Sequence, residues 1–304
     1  MKKDFKKFRS HFIENYSGSI YILPWIIGFT FFTLIPLLCL FYFAFTKYDL
    51  LSAPQFIGFD NFKDIFTSDP KFFTALKVTF KYVATAVPLK LFVALMVAIL
   101  LNQKHKFIGL YRTAFYLPSI IGGSIAVAIM WSRIFSRDGA INSIIYLVFG
   151  FKPDISWIAD PKTALASLVL LSVWQFGSPM LIFLAGIKNI PESYYEAAAI
   201  DGANSFQRFF KITLPLLSPI IFFNLIMQII SGFMTFTQGL VITNGGPLDK
   251  TLFYQLYVYR KGFEQFNMGY SAALSCIMLV IVAIFTAMVF KSSSAWVYYD
   301  GKGE

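Results

Sequence analysis

The stretch that decides the architecture is residues 189–219, NIPESYYEAAAIDGANSFQRFFKITLPLLSP, which lies between two long apolar runs. Glu192 suits the first turn of a helix, where a carboxylate meets the positive end of the helix dipole. Gly202 suits the end of that helix, because glycine readily adopts the left-handed conformation. Asn204 and Gln207 have the spacing of a capping box that begins a second helix. The stretch is therefore predicted to form two short helices joined at Gly202.

Six apolar runs surround this stretch, and each is long enough to cross a hydrocarbon core, which needs about 20 residues. Only one of them carries a charged residue, Lys90 in the second run. They are apolar on all faces, which favours helices over the alternating strands of a membrane barrel. The predicted fold is an all-α membrane protein with six transmembrane helices and a loop, 188–218, between the fourth and the fifth. The six runs lie at about 20–45, 82–101, 113–132, 163–187, 219–243 and 268–290.

The composition agrees with this fold and excludes several classes of protein. Hydrophobic residues make up 57% of the 304 residues and charged residues 14%, whereas soluble domains are about one-quarter charged. The net charge is +10, and the basic residues that carry it lie mostly between the apolar runs. This placement favours anionic lipid headgroups over nucleic acid as a partner. Two cysteines and two histidines provide neither a disulfide framework nor a metal cluster.

The basic N-terminus predicts the topology. The first apolar run is longer than the core of a cleavable signal peptide, so it is interpreted as a retained anchor. Basic residues before it predict a cytoplasmic N-terminus, and six spans then make the C-terminus and loop 188–218 cytoplasmic as well. The predicted domains are 1–71 (N-terminus, first helix and first outer loop), 72–291 (transmembrane core) and 292–304 (tail). The basic residues are Lys2, Lys3, Lys6, Lys7 and Arg9.

Catalytic motifs are missing from the sequence. It contains no G-x-x-x-x-G-K-[ST], no H-E-x-x-H and no G-x-S-x-G, so it predicts no nucleotide-binding P-loop and no hydrolase site. The six runs hold no Asp, Glu or His, which argues against an intramembrane enzyme and a proton-coupled secondary transporter. Lys90 is expensive to bury. It is either a substrate or ion contact, or a lysine that pairs with a backbone carbonyl near Pro88 or faces protein and water.

Polar residues within the runs are candidates for a substrate path, because sugars need hydrogen-bonding groups and flat aromatic faces. The alternative for each is an interhelical hydrogen bond that holds the bundle together. Two further apolar segments, 139–151 and 252–259, are too short to span. Segment 139–151 suits an interfacial helix or a plug packed on the outer face. Both segments suit either helices lying at the lipid headgroups or docking sites for an external partner. The candidate path residues are Trp174, Gln175, Asn224, Gln228 and Gln238.

The loop resembles the EAA loop of binding-protein-dependent ABC importer permeases, whose pattern is EAA…G followed by I-x-LP about ten residues on. Flanking segments resemble the carbohydrate-uptake branch, in particular the first membrane subunit of maltose and glycerol-3-phosphate importers. Glycerol phosphate or another small solute remains an alternative cargo, and an ATP-independent secondary transporter is the alternative from another class. The residues of the resemblance are Glu196-Ala197-Ala198, Asp201-Gly202-Ala203, Ile212, Leu214-Pro215 and Pro219.

The resemblance implies how the chain would work. Such a subunit pairs with a second, homologous permease in a bacterial or archaeal plasma membrane, and an external solute-binding protein delivers the substrate. Two cytoplasmic ATPase subunits hold the ATP and magnesium, so this chain would be no enzyme and would bind no cofactor. Glu196 would pair with a basic residue of the ATPase, Ala197 and Ala198 would allow close approach, and Asp201 and Gly202 would form the turn.

Overall fold

The computed structural model describes residues 21–103 and 106–298. The basic N-terminal residues and both histidines therefore lie outside the described residues, as does the end of the tail. Two short strands, β1 (Thr46–Lys47) and β2 (Gln55–Phe56), form an antiparallel pair. The described helices are α1 (Tyr21–Ala44), α2 (Asp60–Thr67), α3 (Pro70–Leu101), α4 (Ile108–Ile121), α5 (Ile125–Ile134), α6 (Ala140–Phe149), α7 (Ala164–Trp174), α8 (Gly177–Asn189), α9 (Glu192–Ile200), α10 (Ser205–Phe233), α11 (Tyr254–Tyr259) and α12 (Met268–Trp296).

Four of these helices, α1, α3, α10 and α12, are each long and apolar enough to cross a membrane. Two further pairs pass the same test as broken spans: α4 and α5 meet at 99°, and α7 and α8 meet at 42°. The α4–α5 break falls where Ser124 caps α5 by accepting a hydrogen bond from the Val127 amide. The number of candidate spans in the described chain is therefore four, or six if each pair is one span.

The helix ends differ from the predicted runs because capping residues extend two helices. α3 begins at Pro70, well before residue 82, since the Asp69 side chain accepts hydrogen bonds from the amides of Lys71 and Phe72. α10 begins at Ser205, inside the predicted loop, and ends at Phe233 instead of continuing to 243. It includes a π-helical turn, Phe209–Thr213, and such a turn lets a helix continue through the nearby proline at 215.

The chain divides into two compact units, the first of which comprises Met1–Thr67 and Lys261–Ile277. In this unit the end of α1 is joined to α2 through the strand pair. The buried Asn61 side chain on α2 donates hydrogen bonds to the carbonyl groups of Ala44 and Thr46, both at 2.9 Å. These two bonds fix the chain reversal after α1, because buried polar groups are held by their hydrogen-bond partners.

The second unit comprises Ser68–Arg260 and Met278–Glu304, and α3 packs there against α7, α8 and α10. α3 buries one face at helical spacing, with several alanines that allow close approach between helices. Opposite this face, Gly232 on α10 lies against the side chains of Val83 and Val87. The buried residues of α3 are Phe72, Ala75, Val78, Thr79, Tyr82, Val83, Ala86, Val87, Leu91, Ala94, Ala98 and Leu101.

Segment 252–259 is neither a headgroup helix nor an exposed docking site, so both alternatives were wrong for it. Leu252, Phe253 and Tyr254 are fully buried in the second unit. The Tyr254 amide donates a 2.9 Å hydrogen bond to the Thr79 hydroxyl of α3. Apolar composition alone could not distinguish a segment that packs in the protein core from one that lies in lipid.

Segment 139–151 does form a helix, α6, and most of its apolar side chains are exposed. A fully buried side chain, Asn142, ties this helix to the irregular segment 151–157 that follows it, and we call the helix and this segment together the hairpin. Its amide nitrogen donates to the carbonyls of Arg137 and Ile155, both at 2.8 Å, and its oxygen accepts from the Trp157 indole at 2.7 Å. Arg137 also pairs with Asp154 and lowers the pKa of that carboxyl by hydrogen bonding to it.

Replacing Asn142 with leucine is expected to loosen the hairpin while keeping the side-chain volume. The substitution leaves two part-buried carbonyls and one part-buried indole N–H without these partners, at up to about 1–3 kcal/mol for each such group. Trypsin should cleave after Arg137 at least tenfold faster than in the unchanged protein. Ser143→Ala removes one local hydrogen bond on the same helix and should leave cleavage unchanged. Equal cleavage of the two variants would contradict the role of Asn142.

Candidate functional site

The predicted helix–turn–helix is present in residues 189–219, with the short α9 followed by a tight turn, but the second helix is the start of the long α10 and is not a short helix. Gly202 has φ of +76°, and its amide donates to the carbonyl of Ala199 while the next amide, of Ala203, donates to Ala198. These two bonds make a Schellman turn, which requires the left-handed conformation at the glycine position. Asn204 then begins α10 through a complete capping box with the residue three positions on.

α9 buries no residue, and all of its residues except the half-buried Tyr195 and Ala198 are exposed. Glu196 and Ala197 are both exposed, and Ile200 at the helix end is 88% exposed. Within residues 21–103 and 106–298, no ion pair or hydrogen bond involves the Glu196 side chain. An uncovered helix with alanines, an isoleucine and two exposed glutamates, Glu192 and Glu196, has the composition of a helix that seats in a complementary groove.

Tyr195 is a residue of this site that the sequence analysis missed. Its hydroxyl lies 2.9 Å from the hydroxyl of Thr213, which is buried in the π-helical turn of α10. This bond joins α9 to α10 across the Gly202 turn, so the two helices are held at the turn and by a side-chain contact. Nothing in the local pattern marked the pair, because the two residues are 18 positions apart.

Tyr195→Phe is expected to loosen this connection with little change in the rest of the fold. The loss of one hydrogen bond of about 1 kcal/mol corresponds to about a fivefold rise in local opening. Hydrogen–deuterium exchange of the amides in 192–200 should become faster by that factor, and transport coupled to ATP hydrolysis should become less efficient. Tyr194→Phe at the exposed neighbouring position is the matched control. Unchanged exchange in Tyr195→Phe would show that the contact does not hold α9.

A second feature is a small polar cavity of about 60 Å³ among the helices of the second unit. Its walls carry amides, hydroxyls and one ammonium group, with a few small and aliphatic side chains between them. The Tyr82 hydroxyl donates to the Gln238 side chain at 3.3 Å across the cavity wall. The lining residues are Tyr82, Ala86, Val87, Lys90, Ser172, Gln175, Gln228, Ser231, Gly232, Thr235 and Gln238.

The structure brings three of the five candidate path residues together at this cavity, namely Gln175, Gln228 and Gln238. Gln175 is already engaged, since its amide donates to the carbonyl of Gly122 at 3.0 Å. The other two candidates do not line the cavity. The centroid of the Trp174 ring lies 5.7 Å from that of the Trp131 ring. Asn224 is buried, and neither its amide nitrogen nor its amide oxygen forms a hydrogen bond to a described residue.

The sequence held a signal for the hydroxyl-bearing residues that the analysis overlooked. Gln228, Ser231 and Thr235 follow one another at spacings of three and four residues, which places them on one helical face. Tyr82 and Ser172 have no such pattern, because α3 and α7 also carry other polar residues, such as Thr79 and Ser167, that do not line the cavity. Their place in the cavity depends on how α3 and α7 pack, which the helix sequences do not specify individually.

The fold and these two features define a class: a multi-pass membrane protein with an uncovered helix–turn–helix and a polar cavity among its helices. Residues 68–293 match the family described as binding-protein-dependent transport system inner membrane component. This chain belongs to that family, and it is a multi-pass integral membrane protein. The match covers α3 to most of α12 and includes the EAA stretch.

Individual relatives agree with the family. The chain is 56% identical over 301 residues to a probable ABC transporter permease protein, YesP, of Bacillus subtilis (strain 168), covering 98% of this chain and 97% of that one. It is 32% identical over 288 residues to an arabinooligosaccharides transport system permease protein of the same organism, covering 93% and 90%.

A solved structure supports the fold. A chain from the crystal structure of a bacterial alginate ABC transporter, in complex with an alginate pentasaccharide-bound periplasmic protein, superposes with a TM-score of 0.81. The alignment covers 93% of this chain and 96% of that chain, at 21% sequence identity. At 21% identity the superposition supports the architecture alone.

Proposed function

We propose that this chain is the permease subunit of an ATP-driven, binding-protein-dependent importer that carries a sugar or oligosaccharide. It forms one half of the translocation path, and a second, homologous permease forms the other half. The observation that carries the proposal is the uncovered α9 with its unpaired Glu196, in a chain that belongs to the family. Membership of this transport family explains why an uncovered helix such as α9 is needed, because a permease subunit without its own nucleotide site must be driven by a partner subunit.

The coupling proceeds through the EAA loop. α9 seats in a groove of a cytoplasmic ATPase subunit, with Glu196 facing a basic residue and Ala197 and Ala198 allowing close approach. Asp201 and Gly202 end the helix, and the Tyr195–Thr213 contact carries its movement into α10. Both termini lie on the side of the ATPase. ATP and magnesium are held by two ATPase subunits, so the chain binds no cofactor and catalyses no reaction itself.

The cargo is assigned from relatives and from the cavity. A 32% identical relative that covers most of the chain is named for arabinooligosaccharide transport. The cavity offers the amide and hydroxyl groups that bind sugar hydroxyls in protein sites. Gln175, Gln228 and Gln238 are the proposed contacts. Trp174 and Asn224 then serve packing roles next to the path. An external binding protein delivers the substrate to the opposite face.

Co-expression tests this proposal directly. The chain is produced with a candidate partner permease and a candidate ATPase and purified through a tag on this chain, in unchanged form and as Glu196→Ala. A complex that contains both partners and transports sugar only with ATP is the expected result. A chain that purifies alone and transports solute without ATP would contradict it and would favour a secondary transporter.

A further inference from the structure

The breaks in the two broken spans lie side by side and are hydrogen-bonded to each other. The Gln175 side chain, at the end of α7, donates to the carbonyl of Gly122, at the end of α4, at 3.0 Å. The Ser119 hydroxyl of α4 donates to the Gln175 carbonyl at 2.9 Å and accepts from the Ser178 amide of α8 at 3.1 Å. We call the two breaks and these three bonds the joint.

The joint satisfies backbone groups that helix breaks leave open. Carbonyl groups at the end of a helix have no partner within it, and a backbone group without a partner is costly inside a membrane. The carbonyls of Gly122 and Gln175 both find their partners across the joint. The two backbones also approach closely, since a Cβ atom at Gly177 would lie 2.7 Å from the Phe115 carbonyl oxygen. α4 and α8 are therefore held together at the joint.

α9 is connected to α4 and α8 at their other ends. Only Ile190 and Pro191 lie between α8 and α9, and a proline restricts both its own backbone and that of the residue before it. Ile108 at the start of α4 and Glu192 at the start of α9 line the same open groove. A movement of α9 is therefore passed to α8 through a short, stiff link and to α4 through its packing on α8.

The other two half-helices, α5 and α7, are held to each other by a separate contact, in which the Trp131 indole donates to the Ser167 carbonyl at 3.1 Å. Backbone freedom lies between the two pairs. Gly123 follows the end of α4, with nothing within 4 Å of the place where a side chain would begin, and glycine is the residue with the most backbone freedom. α3 packs against both α7 and α8, and Pro88 within it allows this helix to bend.

We infer that the joint is a hinge on which α4, α8 and α9 turn as one body against α5 and α7, with Ser119 and Gln175 as its positioning residues. The inference rests on the proposed function, because the movement comes from the ATPase through α9. Hinges of this kind absorb a rotation at a few residues that end helices or follow them. Gln175 also lines the polar cavity, so rotation at the joint changes the cavity wall.

The test measures distances between spin labels by pulsed electron paramagnetic resonance. It uses the complex of this chain with a partner permease and the ATPase in nanodiscs, with Cys39 and Cys276 replaced by alanine and uptake retained. Labels at the exposed Leu110 of α4 and Leu170 of α7 report across the hinge. Labels at Leu110 and at the exposed Ile182 of α8 report within the moving body.

Trapping with ATP and vanadate should change the first distance and leave the second unchanged. α4 has 14 residues, so it is about 21 Å long and a turn of about 10° moves its far end by about 4 Å. The Leu110–Leu170 distance should therefore shift by about 3 Å or more, and the Leu110–Ile182 distance by less than about 1 Å.

Ser119→Ala removes two of the three bonds of the joint without adding volume. Uptake per ATP hydrolysed should fall at least about threefold, because one hydrogen bond of the usual strength changes a local equilibrium about fivefold. The Leu110–Ile182 distance should then also change with nucleotide, while the ATPase copurifies in the same amount. Ser132→Ala on α5 is the matched control, since its hydroxyl also donates one hydrogen bond, to a carbonyl of its own helix, and it should change neither reading.

A Leu110–Leu170 distance that does not respond to nucleotide would overturn the inference, and so would an equal shift of both distances in the unchanged protein. Normal uptake per ATP in Ser119→Ala would overturn it as well. A complex that holds the ATPase and takes up solute only with ATP, yet gives one of these results, overturns the hinge alone. Loss of the ATPase or of ATP dependence in the unchanged protein overturns the proposed function itself.

Discussion

Glu196→Ala is expected to leave the subunit folded and inserted but to uncouple it from the ATPase. The side chain is exposed and unpaired among the described residues, so its removal should change the free energy of unfolding by less than about 0.5 kcal/mol. In the assembled importer it would face a cation in a groove, and truncating one member of such a pair costs about 2–5 kcal/mol. Substrate-stimulated ATPase activity and uptake should both fall at least tenfold.

Glu192→Ala is the matched control for this experiment. It removes the same charge one turn earlier on the same exposed helix, where the carboxylate adds a few tenths of a kcal/mol through the helix dipole. The measurement is uptake per ATP hydrolysed by the reconstituted importer, together with the amount of ATPase that copurifies. Normal uptake and normal substrate stimulation of ATP hydrolysis in Glu196→Ala would contradict the proposed pairing of this residue with the ATPase.

Gly202→Val is expected to have the larger effect. The glycine has φ of +76°, which a β-branched residue adopts only with strain. Relief of that strain would break the Schellman turn, and α9 would leave its position relative to α10. Nothing lies within 4 Å of the place where a side chain would begin, so the strain comes from the backbone and not from a clash within the chain. Uptake should fall by more than in Glu196→Ala, to near background.

Gly202→Asn separates backbone strain from crowding at an interface. Asparagine tolerates the left-handed conformation but is about as large as valine. If the turn is what matters, the asparagine variant keeps much of the uptake while the valine variant loses it. Equal loss in both would point instead to contact between this position and the ATPase. Copurification of the ATPase and uptake by the reconstituted importer are the two measurements.

Much of the coupling stretch could be predicted because its structure is decided locally. The glycine turn and the capping box each depend on groups within five residues of one another, so the residue types at fixed spacing are sufficient. The short first helix, the turn at Gly202 and the box at Asn204 are confirmed. The second helix is not short as predicted, because it continues through the π-helical turn to Phe233. The start of α3 could have been predicted on the same ground, since Asp69 caps it. The prediction placed the start at residue 82 because it followed the apolar run and not the cap.

The composition and these local signals determined that the chain is helical, apolar and built for a membrane, and they placed the helix–turn–helix. Tertiary structure alone decided which faces meet. The predicted spans are apolar all round, so periodicity does not show which side packs on protein and which on lipid. The hydrogen bond from Tyr82 to Gln238, 156 residues apart, and the burial of Tyr254 on Thr79 depend on that packing. Lys90 was visible in the sequence as an isolated charge, but only the packed helices place it in one cavity with neutral polar groups and without a carboxylate.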